Sequence, residues 1–316
     1  IIALPALFRL PLARLIARRR APSARKIYEH LGGCSPIFEE TRAQANALET
    51  VLSDDGVQAK AFVAMRCWHP FSDGAARAVK AFNPDKIVLL PLYPQYSTTT
   101  SASSLKDWAR AARKAGITTA TTKVCCYPGE PGFVAAAVAK IRAAAKDLRP
   151  DLSYRLLLSA HGLPRRTIAK GDPYQWQVEQ SAAAIVQALD LPGLEPVVCY
   201  QSRVGPLEWI GPSTDAEITR AGRDGKGVIV APIAFVSEHS ETLVELDIEY
   251  RKLAGERGVP DYRRAATVGA APDFIMGLAG LVRAALEGKT VACGRDGCGT
   301  ERICPADYKR CGYGDH

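Results

Sequence analysis

The chain has 316 residues, of which 47% are hydrophobic and 23% charged, and its formal net charge is +8. This composition is ordinary for a folded protein and excludes a disordered or fibrous chain. The length suits one large domain or two of about 150 residues. No apolar run approaches the roughly 20 residues that a membrane-spanning helix needs.

The positive charge is concentrated at the start of the chain. Residues 1–28 contain seven basic side chains and no acidic one. Because the rest of the chain is almost neutral, nucleic-acid binding is not expected. Arginine alternates with apolar residues in this segment, which therefore suits an anionic membrane surface with its apolar side down. The alternative interpretation is a solvated helix packed on the body of the protein.

Predicted strands and helices alternate along most of the chain. Short segments rich in β-formers predict strands at 61–65, 86–92, 121–125, 155–159, 196–200 and 227–231. Helical periodicity predicts helices at 41–53, 73–82, 103–115, 131–147, 174–189, 240–254 and 272–287. The alternation favours an α/β fold with two Rossmann-like domains, each a parallel sheet flanked by helices, divided near Pro150 and Asp151.

Chemically active side chains follow the predicted strands. In open parallel sheets, ligands bind beyond the carboxyl ends of the strands. Arg66 follows the first strand, His161 the strand at 155–159, and His239 the strand at 227–231. Polar, aromatic and imidazole groups are thus expected on one rim. This pattern indicates a cleft between two domains that holds a sizeable, partly apolar ligand.

Three glutamates mark the helix that follows the last of these strands. At the α-helical period, Glu241, Glu245 and Glu249 share one face, and like charges four residues apart repel. Such a row suits the passage of a cation, although a solvated acidic face is the commoner meaning. His161 could accept protons or bind a metal, or be a satisfied buried histidine. Arg66 could bind a carboxylate, or form a structural ion pair.

Several segments resemble the ferrochelatases, the family of enzymes that insert ferrous iron into a porphyrin. The segments are Gly-Gly-Cys-Ser-Pro-Ile at 32–37, Tyr-Pro-Gln-Tyr-Ser at 93–97, Ser-Ala-His-Gly-Leu-Pro at 159–164, Gly-Asp-Pro-Tyr at 171–174, Gln-Ser-Arg-Val-Gly-Pro at 201–206 and PIAFVSEHSETLVELDIEY at 232–250. The last is long and highly specific. The resemblance covers residues 1 to about 290.

The resemblance implies a chelatase-type fold with four parts. Residues 1–150 would form an N-terminal domain, with a membrane-facing lip at 1–28 and without the first strand that family members have. Residues 151–270 would form the C-terminal domain, and 271–290 a helix returning to the first domain. Residues 291–316 would be a separate cysteine-rich tail.

The resemblance also implies residue roles. His161 and Glu241 would be the catalytic pair at the metal site, facing each other across a slot wide enough for a tetrapyrrole, and which of them takes the pyrrole protons stays open. Glu245 and Glu249 would continue a carboxylate path to the metal, supported by His239. The expected porphyrin contacts are Arg66, with a propionate, and Tyr28, Ser35, Tyr96 and Trp209.

Four cysteines crowd the tail: Cys293, Cys298, Cys304 and Cys311. Such crowding in an intracellular protein favours metal ligation over disulfides. Many ferrochelatases carry a 2Fe–2S cluster here, so the resemblance assigns all four as its ligands, with Cys125 or Cys126 as a substitute. A zinc site is the main rival, and free thiols are the third possibility.

The function implied is insertion of ferrous iron into protoporphyrin IX, the last step of haem synthesis. The Ala- and Arg-rich composition suggests a bacterial source, and hence a cytoplasmic enzyme bound peripherally to the inner membrane. Two alternatives stay open: a chelatase for another tetrapyrrole or metal, and a haem- or iron-binding module without turnover. The glutamate row favours turnover, because passive haem binding needs no path for a cation.

Overall fold

A computed structural model describes residues 6–203 and 205–314, with side chains from Pro11 onward. The α-helices are α1 Ala6–Glu29, α2 Ile37–Asp54, α3 Ser72–Phe82, α4 Ser101–Lys114, α5 Pro131–Ala144, α6 Arg165–Ile168, α7 Tyr174–Leu189, α8 Thr214–Arg223, α9 Tyr250–Glu256 and α10 Pro272–Leu286. A π-helix, Glu241–Glu249, precedes α9. The strands are β1 Ile87–Leu89, β2 Thr121–Cys126, β3 Tyr154–His161, β4 Leu194–Gln201, β5 Gly227–Pro232, β6 Tyr262–Arg264, β7 Val291–Gly294 and β8 Gly297–Gly299.

The strands form two sheets. Their orders are β1-β2-β7-β8 and β4-β3-β5-β6, and every pair is parallel except the hairpin β7–β8. In the second sheet β3 lies between β4 and β5 and is buried from Tyr154 to Ala160. A central parallel strand covered on both faces requires such a run of buried residues. The predicted fold class is confirmed.

The predicted strand at 61–65 is wrong. Residues 61–64 join no ladder among the described residues, and Met65 makes one isolated bridge, with Phe71. The amide of Ala61 donates to Glu49 Oε1 (2.6 Å) instead of to a neighbouring strand. An apolar, β-rich segment becomes a strand only where a partner pairs with its backbone, which local composition does not reveal.

The end of the chain returns to the first sheet. Helix α10 packs against α5 and α2. Beyond it, β7 pairs with β2, with Val291 opposite Val124. The tail at 291–316, which shows no periodicity, therefore supplies two strands to the first sheet. Helix α8 and strand β6 were also missed, and both are short, with ten and three residues.

Helix α1 spans 24 residues and makes no extensive contact with another element of the described chain. The arginines at 14, 18, 19, 20 and 25 are exposed, as is half of Leu15. This geometry does not support the interpretation of a helix packed on the body. No helix in the described ranges is long and apolar enough to cross a membrane.

Candidate active site

Two segments that follow neighbouring strands bring His161 and Glu241 together. His161 ends β3, and Glu241 begins the π-helix after β5. His161 Nε2 lies 3.8 Å from Glu241 Oε1. These groups are direct neighbours, so the expected slot between them, wide enough for a tetrapyrrole, is wrong. Because β3 and β5 are adjacent, the segments that follow them lie side by side instead of forming opposite walls.

A second imidazole faces the same carboxylate. His239 Nε2 lies 3.6 Å from Glu241 Oε2. Nδ1 of His161 lies 2.7 Å from the carbonyl oxygen of Gly162, and Nδ1 of His239 lies 3.1 Å from that of Ser237. A carbonyl can only accept, so each ring carries a proton on Nδ1 and turns its Nε2 toward Glu241. The site thus offers two nitrogen bases and one carboxylate.

Opposing effects set the charge of Glu241. Burial raises its pKa, but the hydrogen bond with His239 and the charges of His161 and His239 outweigh burial, so the pKa of Glu241 is lowered. The carboxylate is therefore ionised at neutral pH. The side chains of His161 and Glu241 are 37% and 35% exposed, so both are accessible to a ligand.

Aromatic rings flank the two imidazoles. The ring centroid of Phe235 lies 6.5 Å from that of His161 and 4.8 Å from that of His239. Trp209 lies beside Gly162, where an added Cβ would be 3.3 Å from Trp209 Cε3. Trp209 therefore lies next to the end of β3, where His161 stands. Phe235 was not singled out from the sequence, although its place after β5 was an available signal.

The predicted row of glutamates is not observed as a row. The segment is a π-helix, in which Tyr250 N donates to the carbonyl of Glu245 five residues earlier, so residues four apart do not stack. Glu245 is engaged by Gln201 Nε2 (3.1 Å), Ser202 N (2.8 Å) and Oγ (2.5 Å), and the Tyr250 hydroxyl (3.2 Å). Glu249 is exposed. The α-helical period assumed for the sequence was the source of this error.

Arg66 lines a separate cavity of about 470 Å³ with His69, Phe71 and Arg77. Its Nε donates to Ser103 Oγ (2.9 Å). None of the described hydrogen bonds or ion pairs links Arg66 to His161 or Glu241. The cavity is nevertheless open and carries cationic side chains, which is compatible with an acidic group of a ligand.

The other expected porphyrin contacts have different surroundings. Tyr28 is 37% exposed at the end of α1, and Ser35 Oγ accepts from Ile37 N at the start of α2 (3.3 Å). Tyr96 is only 5% exposed and packs with Cys125 and Cys126. The tail covers its ring so closely at Gly312 that a Cβ added there would lie 2.1 Å from Tyr96 Cε2. These surroundings do not favour porphyrin contact by Tyr96.

The four tail cysteines do not form one ligand set. Cys293 and Cys298 are joined by a disulfide across β7–β8. Cys304 and Cys311 are buried and hydrogen-bond to each other. The expected four-ligand site, for a 2Fe–2S cluster or for zinc, therefore does not fit these residues. Throughout the described ranges, no group of three or more His, Cys, Asp or Glu side chains is arranged to hold a metal ion.

Cys304 and Cys311 instead join two cysteines from the end of β2. Hydrogen bonds with Cys126 and Cys311, together with burial, raise the pKa of Cys125. Hydrogen bonds from Cys125 and Cys304 lower the pKa of Cys311, despite its burial. Gln177 Nε2 contacts the sulfurs of Cys126 (3.3 Å) and Cys304 (3.0 Å). We call these four residues, Cys125, Cys126, Cys304 and Cys311, the thiol group.

The parallel sheets and the imidazole–carboxylate rim define a chelatase-type α/β protein. The structure resembles SirB from Bacillus subtilis, with a TM-score of 0.55 and 17% identity, covering 78% of this chain and 91% of that one. It also resembles CbiX, described as the terminal enzyme of siroheme biosynthesis in denitrifying bacteria, with a TM-score of 0.52 and 20% identity, covering 80% and 94%. At such identities the likeness shows the fold alone.

Sequence comparison identifies the family. The ferrochelatase family model matches residues 1–286. The ferrochelatase of Caulobacter vibrioides is 52% identical over 313 residues, covering 98% of this chain and 88% of that protein. The ferrochelatase of Pelagibacter ubique is 46% identical over 314 residues, covering 98% and 89%. The chain belongs to the ferrochelatase family and is a metal chelatase, as the sequence motifs indicated.

Proposed function

We propose that this chain inserts ferrous iron into protoporphyrin IX where His161, His239 and Glu241 meet, in the last step of haem synthesis. Protoporphyrin loses two pyrrole protons and gains Fe²⁺, so protohaem and two protons are the products. The observation that carries the proposal is the ionised Glu241 carboxylate, 3.8 Å and 3.6 Å from the Nε2 atoms of His161 and His239. Family membership and the exposure of the His161 and Glu241 side chains support the same reaction.

The chemistry divides the roles of the two groups. The lowered pKa of Glu241 makes this carboxylate a weak proton acceptor and a good oxygen ligand for a divalent cation. Imidazoles exchange protons near neutral pH, and the side chain of His161 is 37% exposed. His161 therefore takes pyrrole protons, and Glu241 holds the incoming iron. His239 orients Glu241 by contacting its other oxygen.

The proposed path of the iron involves fewer carboxylates than the three glutamates predicted from the sequence. Glu249 is exposed and would attract the cation from solvent. Glu245 accepts from four donors and thereby fixes the backbone of Ser202 beside the site. The φ of Ser202 is 60°, which is rare for a residue other than glycine. We therefore assign Glu245 mainly to holding this turn.

The porphyrin site combines apolar rings with a cation. Phe235 and Trp209 would cover the flat ring system, and Arg66 would pair with a propionate in its cavity. Tyr28 and Ser35 remain proposed pocket residues.

The decisive experiment is metal insertion by the purified chain. With protoporphyrin and Fe²⁺ under reducing conditions, the absorption of protohaem should grow catalytically. Tight haem binding without metalloporphyrin formation would indicate a haem-binding module. Faster metallation of another tetrapyrrole, or by another metal, would indicate a different chelatase.

The cofactor is a separate question. Iron enters as substrate, and the geometry of the tail does not support a 2Fe–2S cluster on its four cysteines. The absorption spectrum of freshly isolated protein tests whether the thiol group, which contains the substitute ligands Cys125 and Cys126, holds a cluster. Iron–sulfur bands that vanish in the Cys304→Ser variant would indicate a 2Fe–2S cluster. Stoichiometric zinc in a colourless protein would indicate a zinc site instead.

We also propose that α1 attaches the enzyme peripherally to an anionic membrane surface. Its exposed arginines, its exposed Leu15 and its lack of extensive contacts with the described body support this placement.

A further inference from the structure

One arginine outside the site contacts both sides of the segment that carries His239 and Glu241. Arg264, at the end of β6, has a side chain only 11% exposed. Its Nη1 donates to Glu238 Oε1 (2.9 Å) and Oε2 (3.2 Å). Its Nε lies 3.3 Å from Asp247 Oδ2. A single guanidinium thus pairs with two carboxylates through different nitrogens.

The positions of these two carboxylates give the contact its significance. Glu238 immediately precedes His239, and Asp247 lies within the π-helix that Glu241 begins. The site residues therefore lie between two points that are anchored to the same side chain. We propose that Arg264 is a positioning residue for iron insertion, which holds His239 and Glu241 at the spacing that receives the cation.

The local backbone explains why such an anchor is needed. π-Helical hydrogen bonding is rare and short-lived in isolation, so surrounding contacts must maintain the nine-residue stretch Glu241–Glu249. Strand β6 provides them at two points, because the Tyr262 hydroxyl also donates to the carbonyl of Leu246 (2.6 Å). Lysine, a single point charge, cannot reproduce the two-edged pairing of Arg264.

A second backbone contact fixes the same loop. Glu238 Oε1 also accepts from the amide of Thr267 (3.0 Å). Without Arg264, Glu238 would be a partly buried carboxylate without its paired cation, and Asp247 would keep only its exposed partner Arg251 (2.7 Å), so both carboxylates would be free to turn toward water. Since both flank the site, that movement would shift His239 and Glu241 relative to His161. This inference rests on the roles proposed above for those three residues.

The test compares Arg264→Gln with Arg263→Gln in the full chain. Arg263 is the neighbouring residue of β6 and pairs with Asp261 (2.9 Å), away from the π-helix. Because small displacements of reacting groups cost up to about 100-fold in rate, Arg264→Gln should lower kcat about tenfold and raise the KM for Fe²⁺ at least about fivefold. Arg264→Lys should recover part of both losses. Arg263→Gln should leave the KM for Fe²⁺ unchanged.

The KM for Fe²⁺ distinguishes a positioning role of Arg264 from a mere contribution to the stability of the protein. A merely less stable enzyme loses active molecules, so its kcat falls while its KM for Fe²⁺ stays the same; that result for Arg264→Gln would overturn the inference. Should Arg264→Gln not fold, Glu238→Gln removes the charge that pairs with Arg264 and keeps an acceptor for the Thr267 amide, and an unchanged KM for Fe²⁺ in that variant would be equally decisive against the inference. Full activity of Glu241→Gln would instead refute the proposed site itself.

Discussion

At the scale of single residues, the acidity of Glu241 decides how the site can work. A half-buried carboxylate without partners would be more easily protonated, because burial disfavours its charge. The two histidines reverse that tendency and lower its pKa. In the proposed reaction, an ionised oxygen ligand beside two imidazoles would separate cation capture from proton removal.

Glu241→Gln tests this division. The amide keeps the shape of the side chain but has no charge, so we expect insertion of Fe²⁺ to fall at least about 100-fold, while porphyrin binding, measured by fluorescence quenching, stays within about twofold. Glu256→Gln, at the exposed end of α9, is the matched control and should retain most activity. Equal activity of the two variants would contradict the role of Glu241.

A second charged residue, Glu195, supports the opposite end of the second sheet. It pairs with Lys226 Nζ (2.6 Å) and with Nη2 of Arg155 (3.0 Å), whose side chain is 1% exposed. Hydrogen bonds from Arg155 and Lys226 lower the pKa of Glu195 to about 2. Because this pKa is below its ordinary value, the stabilisation is complete above about pH 4.5 and is lost as the pH falls toward about 2.

Glu195→Gln should therefore destabilise the protein in a pH-dependent way. At pH 7 we expect the free energy of unfolding in urea to fall by about 1 kcal/mol, a modest figure because the carboxylate is partly screened by solvent. The difference from the unaltered chain should shrink as the pH falls from 5 to 3. Glu39→Gln, which breaks an exposed pair with Arg42, should have no measurable effect. A constant difference across the pH range would contradict the assignment.

At the scale of elements, α7 connects the candidate site with the thiol group. The hydroxyl of Tyr174, its first residue, donates to the carbonyl of His161 (3.0 Å). One turn later, Gln177 is fully buried; its Oε1 accepts from Tyr96 N (2.7 Å) and its Nε2 contacts two sulfurs of the thiol group. One helix thus contacts both His161 and the C-terminal tail.

Gln177→Leu should loosen the tail. The change leaves the buried amide of Tyr96 without a partner, so we expect a loss of about 1–3 kcal/mol in stability. Limited proteolysis should also cleave the region after residue 300 faster, because the contact to Cys304 is lost. Gln175→Leu, at a more exposed position of the same helix, should change stability by less than about 0.5 kcal/mol. Similar behaviour of the two variants would show that Gln177 has no special role.

Sequence patterns predicted the elements with strong periodicity and missed those fixed by distant partners. Helices such as α7 and α10 follow from their apolar spacing, and β3 from its apolar run. The segment at 61–65 reads as a strand but has no ladder in the described chain, whereas β7 becomes a strand because β2 lies beside it. Pairing between segments far apart in sequence is not encoded in local composition.

The candidate site was likewise predicted in part: its residues, but not their arrangement. The motifs around His161 and Glu241 identified the residues, and their place at adjacent strand ends explains why they meet. The mutual arrangement was mispredicted, because the π-helix changes which glutamates share a face. Disulfide pairing of Cys293 likewise depends on the β7–β8 register, which sequence spacing does not reveal.

At the scale of the whole molecule, charge is distributed unevenly. Seven basic residues lie within the first 28, in contrast to an almost neutral remainder, and the arginines at 14, 18, 19, 20 and 25 are exposed on α1. Such an arrangement concentrates positive charge on one part of the chain.

Replacing Arg18, Arg19 and Arg20 by Gln tests this arrangement. At about 1 kcal/mol for each basic residue near an anionic surface, affinity for vesicles containing phosphatidylglycerol should fall roughly 100-fold in a sedimentation assay. Added salt should also weaken the binding of the unaltered chain to these vesicles. Insertion activity without vesicles should be unchanged. Equal binding of the two proteins would refute membrane attachment through α1.

The return of the chain to its first sheet has a consequence for biosynthesis. Strand β2 ends at Cys126, but its neighbour β7 begins only at Val291. During translation the second sheet, whose strands lie between Tyr154 and Arg264, can assemble while β2 still has an open edge. The half of the enzyme made first is therefore completed last, and nascent chains paused before α10 are the stage at which we expect the greatest need for a chaperone.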